Sequence, residues 1–560
     1  MRNPFCLTIF SSLYPKRLFV FLIALWILTL AGIQSVPLET HESFVLATTQ
    51  EMNSSGDYLI PHYNGELRLN KPPLNYWVTL LVSAIDPVNS DIQIFHGRAV
   101  SLLAVLVMVL LTAHAGIALY GRETGILAAL MLMGSNSLLN LSHNAKPDVL
   151  YAALCILQLF AWVDAWRADK AVRQTSGALL GWVAAGLATL TKGPQVPAVF
   201  LMGFIAFLVC GPDRRRVFRI LRPFSGAVVF CFLVLPWWCL LQQKLLTIGA
   251  SISDSQLSGS LLHNLASWRE LLSFYYVWVP VAQMLPASLL LVMLIPRLEE
   301  IKKAVMCPPT RLLVYVSITM LILFTFGGHY RKHYTLPLLP VFSILLANSV
   351  RFVQFQGFGE SWKKFLVSAA VAGALLCAGF MVWAGAYVTV ALFLAVSVLI
   401  ARALMQEMTD SFRESPLFAK QLMVIATVLV VLGAGFNAYR PSLQWPMRQQ
   451  EFKRRVGAML AEDDQLICWR TSVNVLPYFA KRQVIAFKEA DALERYVMAN
   501  RRRHALFAIL PTCEMLSINE HFSTRLKCSV ADKKERENVS VREKGLSCVE
   551  ILGLREPPVK

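Results

Sequence analysis

Carboxylates are scarce in this sequence. Asp and Glu number 35 among 560 residues, against 53 Lys and Arg, and all charged residues together make up 16%. A soluble domain carries about a quarter charged residues. Here 56% of positions are hydrophobic and mean hydropathy is +0.52. No soluble core of this length hides that much apolar surface, so the chain reads as an α-helical polytopic membrane protein. Cysteines are few, and their spacing has no zinc pattern. Cys155, Cys210, Cys231, Cys239 and Cys377 lie in or beside apolar runs and read as small core residues. Cys468, Cys513, Cys528 and Cys548 lie in a polar tail and would allow one or two disulfides in an oxidising compartment. No small-residue cleavage site follows Lys16, Arg17 and the apolar run Leu18–Ile33, which therefore reads as an uncleaved first span.

The formal charge of +18 does not make the chain a nucleic-acid partner. Its basic residues fall in short clusters between apolar runs, with no recognisable binding module. That distribution is what orientation in a bilayer requires. About thirteen runs are long enough to cross a hydrocarbon core of about 30 Å: 17–37, 99–120, 125–142, 148–166, 176–191, 196–211, 222–242, 275–295, 312–328, 335–351, 365–382, 384–404 and 419–438. The run Leu74–Ile85 covers only about 18 Å as a helix and reads as lying in the interface. Arg167/Lys170/Arg173, Arg214/Arg215/Arg216/Arg219/Arg222, Arg297/Lys302/Lys303 and Lys363/Lys364 then share one side with the N-terminus. The positive-inside rule makes that side cytoplasmic and puts the C-terminus outside. Domain bounds of 1–440 for the transmembrane part, with a first outer loop at 38–97, and 441–560 for the tail follow from the change in composition. In the tail, runs at 465–469, 483–487 and 504–510 read as buried strands, with a helical pattern from Ala490 to Arg503 between them. A small α/β domain without a glycine-rich phosphate loop is expected there, more naturally an accessory domain than a second active site.

Few cations lie on the outer side, and most stand beside unusual local patterns. Arg68-Leu-Asn-Lys71-Pro72-Pro73 precedes an aromatic apolar helix and would hold an ammonium group at the bilayer surface. Glu39, His41 and Glu42 sit where the first span meets that surface, either as plain surface polarity or as a reactive cluster. Lys146-Pro147-Asp148 opens a span, and Pro147 suits a first helical turn. Asp148 is thereby favoured as the anion near a helix N-terminus, whether as a simple cap or as a functional group. Thr191-Lys192-Gly193-Pro194 separates two spans, and His329-Tyr-Arg331-Lys332-His333-Tyr334 precedes Leu336-Pro337. Cations on the cation-poor side suit an anionic headgroup; generic attraction to phospholipid is the plainer alternative. Pro236-Trp237-Trp238 reads as an interfacial aromatic anchor.

At these residues the chain resembles the GT-C class of membrane glycosyltransferases, within it the bacterial aminoarabinose transferases and protein O-mannosyltransferase-like enzymes. The resemblance rests on the acidic pair after span one, on Glu51-Met-Asn-Ser-Ser-Gly56-Asp57-Tyr-Leu-Ile-Pro61, and on Lys71-Pro72-Pro73-Leu-Asn75-Tyr-Trp77. Lys146-Pro147-Asp148, Thr191-Lys192-Gly193-Pro194 and the basic-aromatic segment continue it in order, from about residue 17 to 350. It implies about thirteen transmembrane helices with a small periplasmic α/β domain, in a bacterial inner membrane. It also implies inverting transfer from a polyprenyl-phosphate sugar to an envelope glycolipid such as lipid A. Glu42 is then the general base, with His41 beside it and Asp148 in electrostatic support, while Lys71, Lys192, Arg331 and Lys332 bind the donor phosphate. The pattern departs from the family at His41, where an aspartate is usual, and at Asn70, where a glutamate is common. His41, Glu42 and Asp148 are also a candidate set for a divalent metal, which their spacing does not establish. A protein O-glycosyltransferase is the nearest competing reading. A flippase for lipid-linked saccharides would favour charge at mid-membrane depth, whereas these charges gather at the boundary.

Overall fold

The computed structural model describes residues 16–249 apart from 30–32, 34, 35, 89 and 90, and 274–353 apart from 328 and 329. It continues with scattered positions between 368 and 402, with 417–439, and with 454 and 458. In the tail it takes in 465–469, 473, 475–489, a few positions between 492 and 499, 506–511, 526–530 and 546–553. Most of the expected spans at 365–382 and 384–404, Cys377, and most of the helical pattern at 490–503 lie outside the described residues. Two compact units emerge: Met1–Val36, Leu69–Ile85 and Ile94–Ser442 form one, while Pro37–Arg68, Asp86–Gln93 and Leu443–Lys560 form the other.

The first unit is helical. Among the described residues five helical stretches are long and apolar enough to cross a membrane: Ile94–Tyr120, Pro147–Arg167, Arg214–Thr247, Pro308–Phe326 and Lys332–Phe352. Shorter apolar helices at Leu74–Ile85, Gln195–Val209 and Phe418–Ala434 accompany them. Two expected spans are not single rods. The 125–142 run divides into helices Arg122–Met133 and Asn136–Leu141, because Ser135 Oγ accepts from Leu138 N (3.3 Å) and caps a new start. The 275–295 run bends by 117° between Tyr275–Gln283 and the following Ala287–Met306 segment. Pro280 and Pro286 each remove a backbone donor there, which no straight helix tolerates twice in a few residues.

Packing inside this unit relies on small residues, because lipid tails offer no hydrophobic gain for bringing helices together. The Pro147–Arg167 helix lies against Ala171–Lys192 through Gly177 and Gly181. A Cβ on Gly181 would stand 2.2 Å from Trp162 Nε1. That absence of a side chain lets the indole bury completely and donate to Ala178 O (3.3 Å). The opposite condition holds on Pro223–Thr247, where Phe224 and Phe232 are 81% and 78% exposed. Large apolar residues in such a position are supported by lipid, not by protein. Pro236 lies within this helix, where Trp237 is buried and Trp238 is exposed. Cys155 is a core residue as expected; Cys210, Cys231 and Cys239 are exposed on apolar helices instead.

The second unit joins residues 37–68 and 86–93 to the tail. A hairpin of His62–Tyr63 and Glu66–Leu67 turns through Asn64 and Gly65, both at positive φ (57° and 77°), as a type I′ turn requires. Asn64 then pairs with the tail: its side chain donates to Val484 O (2.9 Å) and accepts from Val484 N (2.7 Å). The five-stranded sheet runs in the order Val484–Phe487, Gln465–Trp469, Leu506–Pro511, Leu546–Gly553, Leu526–Val530. The first three strands are parallel and the last two pairings antiparallel. Its register separates the tail cysteines. Cys468 and Cys548 both stand opposite Ile509, on either side of it, so two strand spacings of about 4.8 Å lie between them. Cys528 faces Ile551, three residues along from Cys548. A disulfide spans at most about 7 Å between Cα atoms, so no two of these three cysteines are bridged.

Candidate active site

Asp148 occupies the second position of the Pro147–Arg167 helix, whose start is set by Pro147. Its Oδ1 accepts a hydrogen bond from Lys192 Nζ, at the last residue of the neighbouring helix Ala171–Lys192. Both side chains are largely withdrawn from solvent, at 12% and 8% exposure. The lysine is therefore aimed by the carboxylate and is not a loose surface cation. Gly193 follows it at φ +111°, a conformation that L side chains rarely adopt, which lets the chain leave the helix at once. Tyr151, one turn beyond Asp148, locks that exit: its OH donates to Gly193 O and accepts from Val196 N, both at 3.0 Å.

The basic-aromatic segment closes over the pair. His333 Nε2 lies 4.0 Å from Asp148 Oδ1. Lys192 Nζ stands 4.9 Å from the centre of the Tyr334 ring and 5.7 Å from that of Tyr151, within cation–π reach of both. Lys71 acts electrostatically on Asp148 and His333, and Arg331 acts on His333. The segment is itself anchored: Tyr276 OH accepts from Arg331 N (3.3 Å), and Lys332 O accepts from Gln283 Nε2 (2.7 Å) and Thr335 Oγ1 (2.8 Å). The Arg331 and Lys332 side chains are exposed. One anion, one histidine and a surplus of cations thus share the polar ends of apolar helices. Such an arrangement neutralises a bound phosphate.

Glu42 and His41 belong to the other unit. Glu42 is fully buried at the third position of helix Thr40–Ser55, and its Oε2 accepts from Glu39 N (2.9 Å). With the Glu39 side chain accepting in return, the two form a capping box. His41 is exposed, its ring edge-on to Phe44 at 5.8 Å. Glu51 holds the hairpin turn, accepting from Asn64 N (2.5 Å) and Gly65 N (3.1 Å). Arg68 lies over Phe44 and Tyr63, 4.6 and 5.8 Å from the ring centres. Burial pushes the Tyr63 phenol up to about 12, so it stays neutral as a face for that cation. Among the described residues no group of three or more His, Cys, Asp or Glu is placed to hold a metal ion, and His41, Glu42 and Asp148 are not such a group.

Residues 70–239, which carry Lys71, Asp148 and Lys192, match the family described as dolichyl-phosphate-mannose-protein mannosyltransferase. The crystal structure of ArnT from Cupriavidus metallidurans bound to undecaprenyl phosphate superposes with a TM-score of 0.64. It covers 96% of this chain and 97% of that one at 16% identity. The chain has the GT-C fold. By sequence, an Aquifex aeolicus protein of uncharacterized function is 31% identical over 206 residues, 36% of this chain and 38% of that protein. The undecaprenyl phosphate-alpha-4-amino-4-deoxy-L-arabinose arabinosyl transferase 2 of Sodalis glossinidius is 27% identical over 211 residues, 37% of each chain. The matched region spans less than half the length of these curated relatives.

Within the GT-C fold, the structure brings Lys71, Asp148, Lys192 and Arg331 into one electrostatic group, with Lys332 beside it in sequence. Sequence reasoning missed His333, Tyr334 and Tyr151. The first two sat in view inside the basic-aromatic segment. Tyr151 had a weaker signal, a polar ring one turn after a helix-opening aspartate.

Proposed function

We propose that this chain moves a sugar from a polyprenyl-phosphate donor, such as undecaprenyl phosphate, to an acceptor at the outer face of a bacterial inner membrane. The acceptor is an envelope glycolipid such as lipid A, and the anomeric carbon is inverted. The observation that carries the proposal is the Asp148–Lys192 pair with His333 against it and Lys71 and Arg331 in electrostatic reach. Support for the donor class comes from two of the similar proteins: the ArnT structure holds undecaprenyl phosphate, and the Sodalis arabinosyl transferase is named for it.

In this reading the donor phosphate lies among Lys71, Arg331, Lys332 and the aimed ammonium of Lys192. The negative charge that grows on the leaving phosphate as the glycosidic bond breaks is matched by cations already in place. Asp148 holds Lys192 and keeps the site from carrying an unbalanced excess of positive charge. Glu42 is the general base that takes a proton from the acceptor, with His41 nearby on the same turn. The N-terminus is cytoplasmic and the tail unit periplasmic.

The test is transfer from a tagged polyprenyl-phosphate sugar in membrane vesicles. Label in the glycolipid fraction is expected; label in neither lipid nor protein defeats the proposal. Label in protein alone selects protein O-glycosylation, the second reading, which the mannosyl-protein description of residues 70–239 favours.

A further inference from the structure

A cavity of about 430 Å³ lies within the helical unit, far from Asp148. Tyr120, Arg122, Glu123, Asn348 and Arg351 line it with polar groups, and Leu127, Val350 and Ala419 with apolar ones. Its distance from the ion pair follows from helix geometry. Ser101 Oγ donates to Asn144 O (2.6 Å), which places that level of the Ile94–Tyr120 helix beside the start of Pro147–Arg167. Tyr120 is 19 residues further along, about 28 Å at 1.5 Å per residue. That is about one hydrocarbon thickness. The cavity and the Asp148 group therefore lie at opposite ends of the same helices.

Three features of this cavity suit an anionic ligand. Arg122 and Arg351 bring two guanidinium groups against the single carboxylate of Glu123. Arg351 makes no ion pair among the described residues, and its guanidinium rests over the Phe352 ring at 4.8 Å. The cavity also meets the first turn of the Arg122–Met133 helix, whose preceding residue, Gly121, supplies no side-chain cap. Backbone N–H groups of such a turn point at a ligand and carry partial positive charge. Finally, Asn348 is 4% exposed, lines the cavity and has no side-chain hydrogen-bond partner among the described residues. Its amide opens onto the cavity and is available to hydrogen-bond a ligand there. Tyr120 OH, by contrast, is already paired with Thr310 Oγ1 at 2.9 Å.

We infer that this cavity is a binding site for a phosphate-bearing anion, held by Arg122 and Arg351 and hydrogen-bonded by Asn348, on the membrane face remote from the sugar-transfer site. A phospholipid headgroup and a free phosphate share this chemistry, and the apolar lining suits the glycerol end of a lipid.

The test uses full-length protein in nanodiscs. With mixed phosphatidylglycerol and phosphatidylcholine, mass spectrometry after partial delipidation should find phosphatidylglycerol retained on the wild type. Retention should fall about tenfold in Arg351→Gln, where one charge-assisted contact is lost, and again in Asn348→Leu. Arg351→Gln alters an exposed side chain, so its fold is expected to survive and its melting temperature in lipid-free detergent to stay unchanged. Inorganic phosphate is the second arm. If it alone raises the melting temperature of the wild type and not of Arg351→Gln, the anion is free phosphate. Equal retention and equal melting shifts in wild type and both variants overturn the inference, as does absence of binding in both arms.

Discussion

Asp148 and Glu42 are both withdrawn carboxylates in the first turn of a helix, yet the two regions that hold them are assembled on different length scales. Glu42 accepts from the backbone three residues before it, and its partner Glu39 returns the bond. Asp148 accepts from Lys192, 44 residues away, and meets His333 from a third part of the chain. The first arrangement is local and forms with its helix. The second exists only when two long helices and the basic-aromatic segment have packed. A capping carboxylate is explained by its helix alone; a carboxylate that aims a lysine across two helices is not.

The largest effect separates the two regions directly. Lys192→Met leaves Asp148 buried without its cation and should cost about 3–5 kcal/mol. Adding Asp148→Leu should recover most of that loss in thermal unfolding while transfer stays absent. A single variant as stable as the wild type would mean that the pair is no more than a surface contact. Next comes Glu42→Gln. Glutamine at that position still completes a capping box, so stability should hold within about 0.5 kcal/mol, whereas loss of a general base should lower transfer about 100-fold. Unchanged transfer would reduce Glu42 to its capping role and make the contrast with Asp148 complete. Gly181→Ala drives a methyl into Trp162 and should cost about 1–3 kcal/mol with no preference for kcat over KM. Gly193→Ala forces a side chain into positive φ at about 1–2 kcal/mol and should raise the donor KM by displacing Lys192. Smallest is Arg331→Gln, expected to raise donor KM severalfold with kcat kept, as for an exposed phosphate contact.

Much of the helical unit was legible because its rules are short-ranged. Apolar runs marked Ile94–Tyr120, Pro147–Arg167 and Pro308–Phe326, and Pro147 and Gly193 marked ends that the structure keeps. The bend after Gln283 was less visible, since the apolar run continues without interruption through Pro280 and Pro286. His333 was not legible as a site residue, because nothing within a few residues of it predicts a carboxylate neighbour. The tail cysteines show the limit of counting: an even number says nothing about register, register keeps Cys468, Cys528 and Cys548 from bridging one another, and Cys513 lies outside the described residues.

By itself the sequence determined the solvent of this protein, the approximate places of its helices, and the local caps at Glu42 and Gly56, because hydropathy and capping act over one or two turns. Only the tertiary structure decided that Lys192 meets Asp148 and that Asn64 pairs with Val484, 420 residues away. Those contacts depend on how distant helices and strands pack, and packing is set by shapes such as the Gly181–Trp162 fit that no short window of sequence contains.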